Sequence, residues 1–175
     1  MQLFVHGVLS LLIAAISPAG RPVTGPYTAS DSTVVIYLVR HAEKLDDSRD
    51  PPLSEAGKTR ANELRHVLGE AGITHIWSTP LVRARSTAAP IAAQLSLPVE
   101  VYDASKLQEF AAMLKRSPGR HLVVGHSNTT PELVRWLGGD PGPPIVDTEY
   151  DRLYVVAVTP SAVVTSRIRF GATSP

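Results

Sequence analysis

From Val34 to Val39 six apolar residues, most of them β-branched, follow one another without polar interruption. Such a run predicts a strand covered on both faces rather than one with a wet side. Leu122-Val123-Val124-Gly125 is a second, shorter run of the same kind. Elsewhere the apolar spacing turns helical. Ser54 can cap a helix from Glu55 to about Gly69, with Ala61, Leu64 and Leu68 on one face and Gly72 as its stop. Thr74 to Trp77 reads as a short strand. Arg83 to Leu95 is alanine-rich and helical, with Pro90 expected to kink it or split it in two. Val99 to Tyr102 is strand-like, and Ser105 to Lys115 predicts a helix with Leu107, Phe110, Ala111 and Leu114 inward. Pro131 suits the first turn of a helix that runs to Leu137 and closes at Gly138-Gly139. Tyr150 to Val158 and Val163 to Phe170 read as strands around the turn Thr159-Pro160-Ser161-Ala162. Strands alternating with helices predict an α/β three-layer sandwich: a mostly parallel central sheet, helices on both faces and an antiparallel C-terminal edge. No internal repeat and no second domain are visible.

The N-terminus follows a different pattern. Leu3 to Ile16 is almost wholly apolar, and Ser17-Pro18-Ala19 then offers small residues. The stretch is short of the ~20 residues that span a bilayer. It fits the apolar region of a secretory signal peptide over residues 1–19, although no Lys or Arg precedes it. A buried N-terminal helix is the alternative. Pro18, Gly20, Pro22, Gly25 and Pro26 make residues 20–32 a loose linker, so the expected domain spans 33–175. On this reading the protein is exported, periplasmic or secreted, and keeps no membrane span after cleavage.

Composition narrows the choice of function only a little. At 175 residues and 43% hydrophobic content the chain can build one real core. A net charge of +1 without a Lys/Arg-rich run gives no electrostatic case for nucleic acid. With no cysteine there are no disulfides and no thiolate zinc sites.

The chemistry sits where the apolar runs stop. Arg40-His41 ends the first, and His126-Ser127-Asn128 ends the second. In open parallel sheets the carboxyl end of the strands is where ligands bind, so two histidines there suggest one shared site. Arg40 as a surface charge and His41 as a polar strand end is the bland alternative. Four blocks in order weigh against it: Arg40-His41-Ala42-Glu43, Leu53-Ser54-Glu55-Ala56-Gly57, Ser78 to Ala88 with Arg83 inside, and Gly125-His126-Ser127. Together, over roughly Val34 to Val158, they resemble the histidine phosphatase superfamily, also called phosphoglycerate mutase-like, in its small single-domain branch.

That resemblance implies that His41 becomes a transient phosphohistidine, which water then hydrolyses. A phosphoryl group in transfer spreads negative charge over its oxygens and needs fixed cations around it. Arg40 and Arg83 suit that as bidentate clamps, with His126 a further donor. The same charges should keep His41 neutral and able to attack phosphorus. No metal or other cofactor is then required. The implied activity is a metal-independent hydrolase of phosphomonoesters or phosphoramidates. A phosphomutase of the same fold and a non-catalytic phosphate-binding module are the alternatives.

Other positions carry weaker readings. Ser127 and Asn128 are candidate substrate donors, or a helix N-cap. Gly125-His126-Ser127-Asn128-Thr129 lacks the last glycine of a nucleophile elbow. Asp103 is the expected general acid, with Glu43 and Glu109 as rivals and the absence of any acid as a further option. Glu43 is also a candidate substrate contact. Arg85 should face solvent, and His66, His75 and His121 belong away from the site. The loop Lys44 to Pro52 should rim the site. With room for only one helix between Tyr102 and His121, a small, open site would suit a phosphorylated macromolecule or an envelope molecule; the partner expected is a phosphorylated small molecule or an envelope component.

Overall fold

A computed structural model describes residues 33–174. The expected signal segment and the whole of the expected linker lie outside the described residues. Ten elements follow in order: β1 (Val34–Arg40), α1 (Glu55–Leu68), β2 (His75–Ser78), α2 (Val82–Leu95), β3 (Val99–Val101), α3 (Leu107–Arg116), β4 (Gly119–Gly125), α4 (Thr129–Leu137), β5 (Arg152–Val158) and β6 (Val163–Arg169). The strands make one sheet in the order β3-β2-β4-β1-β5-β6. β3, β2, β4 and β1 run parallel, whereas β5 and β6 form the antiparallel edge. The predicted α/β architecture is therefore the observed one.

β1 lies inside the sheet with β4 and β5 as neighbours, which explains its uninterrupted apolar run. Val34, Ile36 and Leu38 pack against α3 and α4 residues such as Phe110, Leu114 and Leu137. Val39 points the other way, into a cluster with Leu64 and Leu68 of α1 and Ala84, Ala88 and Ile91 of α2. Each such large aliphatic side chain contributes about 1.5–3 kcal/mol by leaving water.

α1 starts as expected, with the Ser54 side chain accepting from Gly57 N. Of the two outcomes expected at Pro90, the split does not occur: α2 runs as one helix from Val82 to Leu95 with Pro90 inside it. The proline forfeits one intrahelical bond, a cost of about 3 kcal/mol. Burial of Ala84, Ala88, Ile91 and Ala92 along one face holds the helix together across that gap. No helix of the described residues is long and apolar enough to cross a membrane.

Candidate active site

Strand register brings the two histidines together. β1 and β4 pair in parallel with Arg40 opposite Gly125, and His41 N extends the ladder to Gly125 O at 2.9 Å. The next residue on each strand is therefore a histidine at the same sheet edge. Their ring centroids lie 5.3 Å apart, edge to face. Arg40, His41, Arg83, His126, Ser127 and Asn128 line one cavity of about 260 Å³. Lys44, Ser48 and Pro51 complete its wall, so the Lys44 to Pro52 loop does rim the site.

His41 is held in one tautomer. Its Nδ1 lies 2.8 Å from Ala42 O and so carries the proton and donates it. Nε2 keeps its lone pair, which accepts from Arg83 Nε at 3.2 Å. Burial pushes the ring's pKa down to about 3, helped by the fields of His126, Arg40 and Arg83 and opposed by the Ala42 carbonyl. The neutral ring expected from neighbouring charge thus owes more to burial than to those charges.

The partners are fixed as firmly. Arg40 Nη1 donates to the carbonyls of Val146, Asp147 and Glu149 at 2.9, 2.9 and 3.0 Å, and its guanidinium stacks 4.1 Å from the Tyr150 ring centroid. Its buried Nε has no hydrogen-bond partner among the described residues, an orphaned donor on a residue that lines the cavity. Arg83 Nη1 reaches Asp50 at 3.4 Å, and the same carboxylate accepts from Val82 N at the start of α2. His126 Nε2 pairs with Thr79 Oγ1 at 3.1 Å, and its backbone N donates to Thr129 Oγ1. Burial, then Arg83 and Arg40, lowers the His126 pKa to about 4.

The rival acids go elsewhere. Both oxygens of Glu43 are taken by Arg60, at 2.6 to 3.0 Å, so its side chain serves a structural ion pair and not the cavity. Asp103 is exposed and accepts from Ser105 N and Oγ. Those bonds hold its carboxyl below the usual range, which makes it a weak proton donor at neutral pH. It lines a neighbouring cavity, and Glu109 lines another on α3. Among the described residues no carboxylate lines the cavity that holds His41. Asn128 opens α4 without a side-chain capping bond. Arg85 and His66 are exposed. His75 and His121 stack at the opposite sheet edge, where Trp77 Nε1 donates to His121 Nδ1. Among the described residues no cluster of three or more His, Cys, Asp or Glu is placed to hold a metal ion.

Sequence reasoning missed Asp50, Thr79, Thr87 and Tyr150. Thr87 Oγ1 accepts from Ala42 N at 2.9 Å and donates to Arg83 O at 2.8 Å, tying the His41 turn to α2. Its position four residues after Arg83 was the available signal. The second block also acquires a reason: a methyl group at Gly57 would overlap the Glu43 carbonyl, which Ser54 N and Oγ also bond.

Residues 36–116, from β1 through α3, match the model of the histidine phosphatase superfamily (branch 1). Solved structures share the fold. The protein histidine phosphatase SixA complexed with tungstate is 20% identical, with a TM-score of 0.63 over 77% of this chain and 96% of its own. Alpha-ribazole phosphatase from Shigella flexneri is 13% identical, with a TM-score of 0.64 over 77% and 96%. A phosphoserine phosphatase from Entamoeba histolytica with phosphoserine bound is 15% identical, with a TM-score of 0.57 over 76% and 95%. No curated protein sequence matches the chain significantly. Over residues 36–116 the chain is similar to the histidine phosphatase superfamily (branch 1), and its fold is the one these solved phosphatases share.

Proposed function

We propose that the protein is a metal-independent phosphatase that works through a phosphohistidine on His41. One observation carries the reading. A neutral, buried imidazole has its proton parked on Nδ1 and its Nε2 lone pair at a cavity lined by Arg40, Arg83 and His126. That is the state a nitrogen nucleophile needs.

The steps follow from the geometry. A phosphate entering the cavity offers its oxygens to Arg83 and to the unpartnered Arg40 Nε, and draws Arg83 off His41 Nε2. The freed lone pair attacks phosphorus, the P–N bond forms and the P–O ester bond breaks. Its electron pair leaves with the ester oxygen, which takes a proton from solvent. The Nδ1–H bond to Ala42 O holds the ring through the change and stabilises its cationic form. Water then attacks phosphorus, the P–N bond breaks, its electron pair returns to Nε2 and the water proton is released. His126 donates to a phosphate oxygen as charge builds. Glu43 is tied to Arg60, and the bonds from Ser105 favour the ionised form of Asp103, so neither is poised to act as the general acid. The resemblance of the fold to SixA, alpha-ribazole phosphatase and phosphoserine phosphatase supports phosphatase over mutase or inert module. We further propose that the segment before residue 33 directs export.

The test is a phosphoenzyme trap with ³²P-labelled ester and chelator present. The wild type should carry acid-labile phosphate, and His41→Ala none. Near-normal turnover by His41→Ala, or activity lost to EDTA and restored by zinc or magnesium, would sink the proposal.

A further inference from the structure

Beside the phosphate cavity lies a second, larger one of about 560 Å³, lined by Leu81, Val101, Tyr102 and Ala104 with Thr79 and His126. His126 is a wall of both, and its bond to Thr79 places the boundary between them. A phosphoryl group seated against His41 therefore has a largely apolar chamber on the far side of His126. No lysine or arginine is among the residues that line this chamber, whereas Asp103 and Ser105 stand on its wall. The chamber thus offers no lysine or arginine to a leaving group with its own carboxylate or second phosphate. Asp103 would repel one, since its bonds to Ser105 keep it ionised.

Among the described residues none that lines the phosphate cavity carries a carboxyl group to protonate a departing alkoxide. A leaving group that departs readily as its anion needs no such help. Phenols, with pKa near that of tyrosine at about 10, are far better in this respect than alcohols. Space, polarity and missing acid agree on one class.

We propose that the cavity of Leu81, Val101, Tyr102 and Ala104 is a leaving-group pocket that selects aryl phosphomonoesters over esters with acidic or sugar leaving groups. This rests on the phosphatase reading above and adds the substrate class to it.

Binding is tested apart from leaving-group chemistry by competitive inhibition with stable phosphonates. On the full chain, 1-naphthylmethylphosphonate should bind at least about tenfold tighter than methylphosphonate, the scale of modest filling of an apolar pocket. Ala104→Trp, which fills the chamber, should erase most of that ratio. Val101 is 56% exposed, so Val101→Lys should fold and should shift kcat/KM from naphthyl phosphate towards 3-phosphoglycerate. Equal affinity for both phosphonates, or a ratio indifferent to both variants, overturns the pocket while leaving phosphoenzyme formation on His41 intact. Failure of every ester to phosphorylate His41 would instead strike the catalytic reading.

Discussion

Arg83 donates its Nε proton to His41 Nε2 across 3.2 Å, so the nitrogen proposed to attack phosphorus is occupied in the resting site. On the proposed mechanism Arg83 is both a cap on the nucleophile and a clamp for the phosphate that displaces it. Arg83→Ala should raise KM and slow phosphoenzyme formation by about two to three powers of ten, the scale of one lost transition-state donor. His126→Ala should match it in rate and lose less binding, because a bidentate cation grips ground and transition states alike. Single-turnover kinetics on both variants and on His41→Ala decide the order. If His126→Ala traps no phosphoenzyme and His41→Ala does, the two roles are reversed.

Thr87 touches no substrate in this scheme, yet it positions the residue that does. Its hydroxyl joins Ala42 N to Arg83 O, and Ala42 O in turn sets the His41 tautomer. Thr87→Val leaves a buried amide without an acceptor, at a cost of about 1–3 kcal/mol. Urea unfolding should show that loss, and kcat should drop about tenfold with little change in KM. Thr87→Ser should restore both. Full activity in Thr87→Val would mean that the His41 turn needs no brace.

Both site histidines should make folding acid-sensitive. An unfolded histidine takes its proton near 6.5, while folded His41 and His126 hold out to about 3 and about 4 because burial disfavours their charged forms. Below pH 6.5 the unfolded chain therefore binds more protons, and stability falls as pH drops from about 6.5 towards 4. Each ring adds up to about 1.4 kcal/mol per pH unit to that slope. Denaturant midpoints measured across this window should fall less steeply for His41→Asn and for His126→Asn than for the wild type. Parallel curves would show that the rings are protonated alike in both states.

Glu43 offers a contrast between stability and chemistry. Its partner Arg60 has a side chain only 5% exposed and also donates to Phe170 O. Glu43→Ala strands that buried cation and should cost about 3 kcal/mol. At a temperature where the variant is folded, phosphoenzyme should still form within about tenfold of the wild-type rate. A collapse in kcat without loss of stability would return Glu43 to the catalytic centre.

Much of this site could be read from neighbours in sequence. Apolar runs that end in Arg40-His41 and Gly125-His126 place both histidines at strand ends, and helical spacing assigns the inward residues of α3 correctly. Such signals are local, because burial on two faces or one leaves its period in the chain itself. The ties that make the site work span greater distances. Asp50 meets Arg83 across 33 residues, Glu43 meets Arg60 across 17, and Arg40 draws on carbonyls more than 100 residues away. Acids in a loop look alike until the fold decides which cation each one meets, so Asp50, Glu43 and Asp103 were indistinguishable as letters. Pro90 makes the same point for the backbone: its local preference is to break a helix, and only the buried face it rides on overrules it. Sequence determined where the histidines stand. Tertiary packing alone decided which nitrogen of His41 carries its proton, because that tautomer is set by the carbonyl that faces the ring.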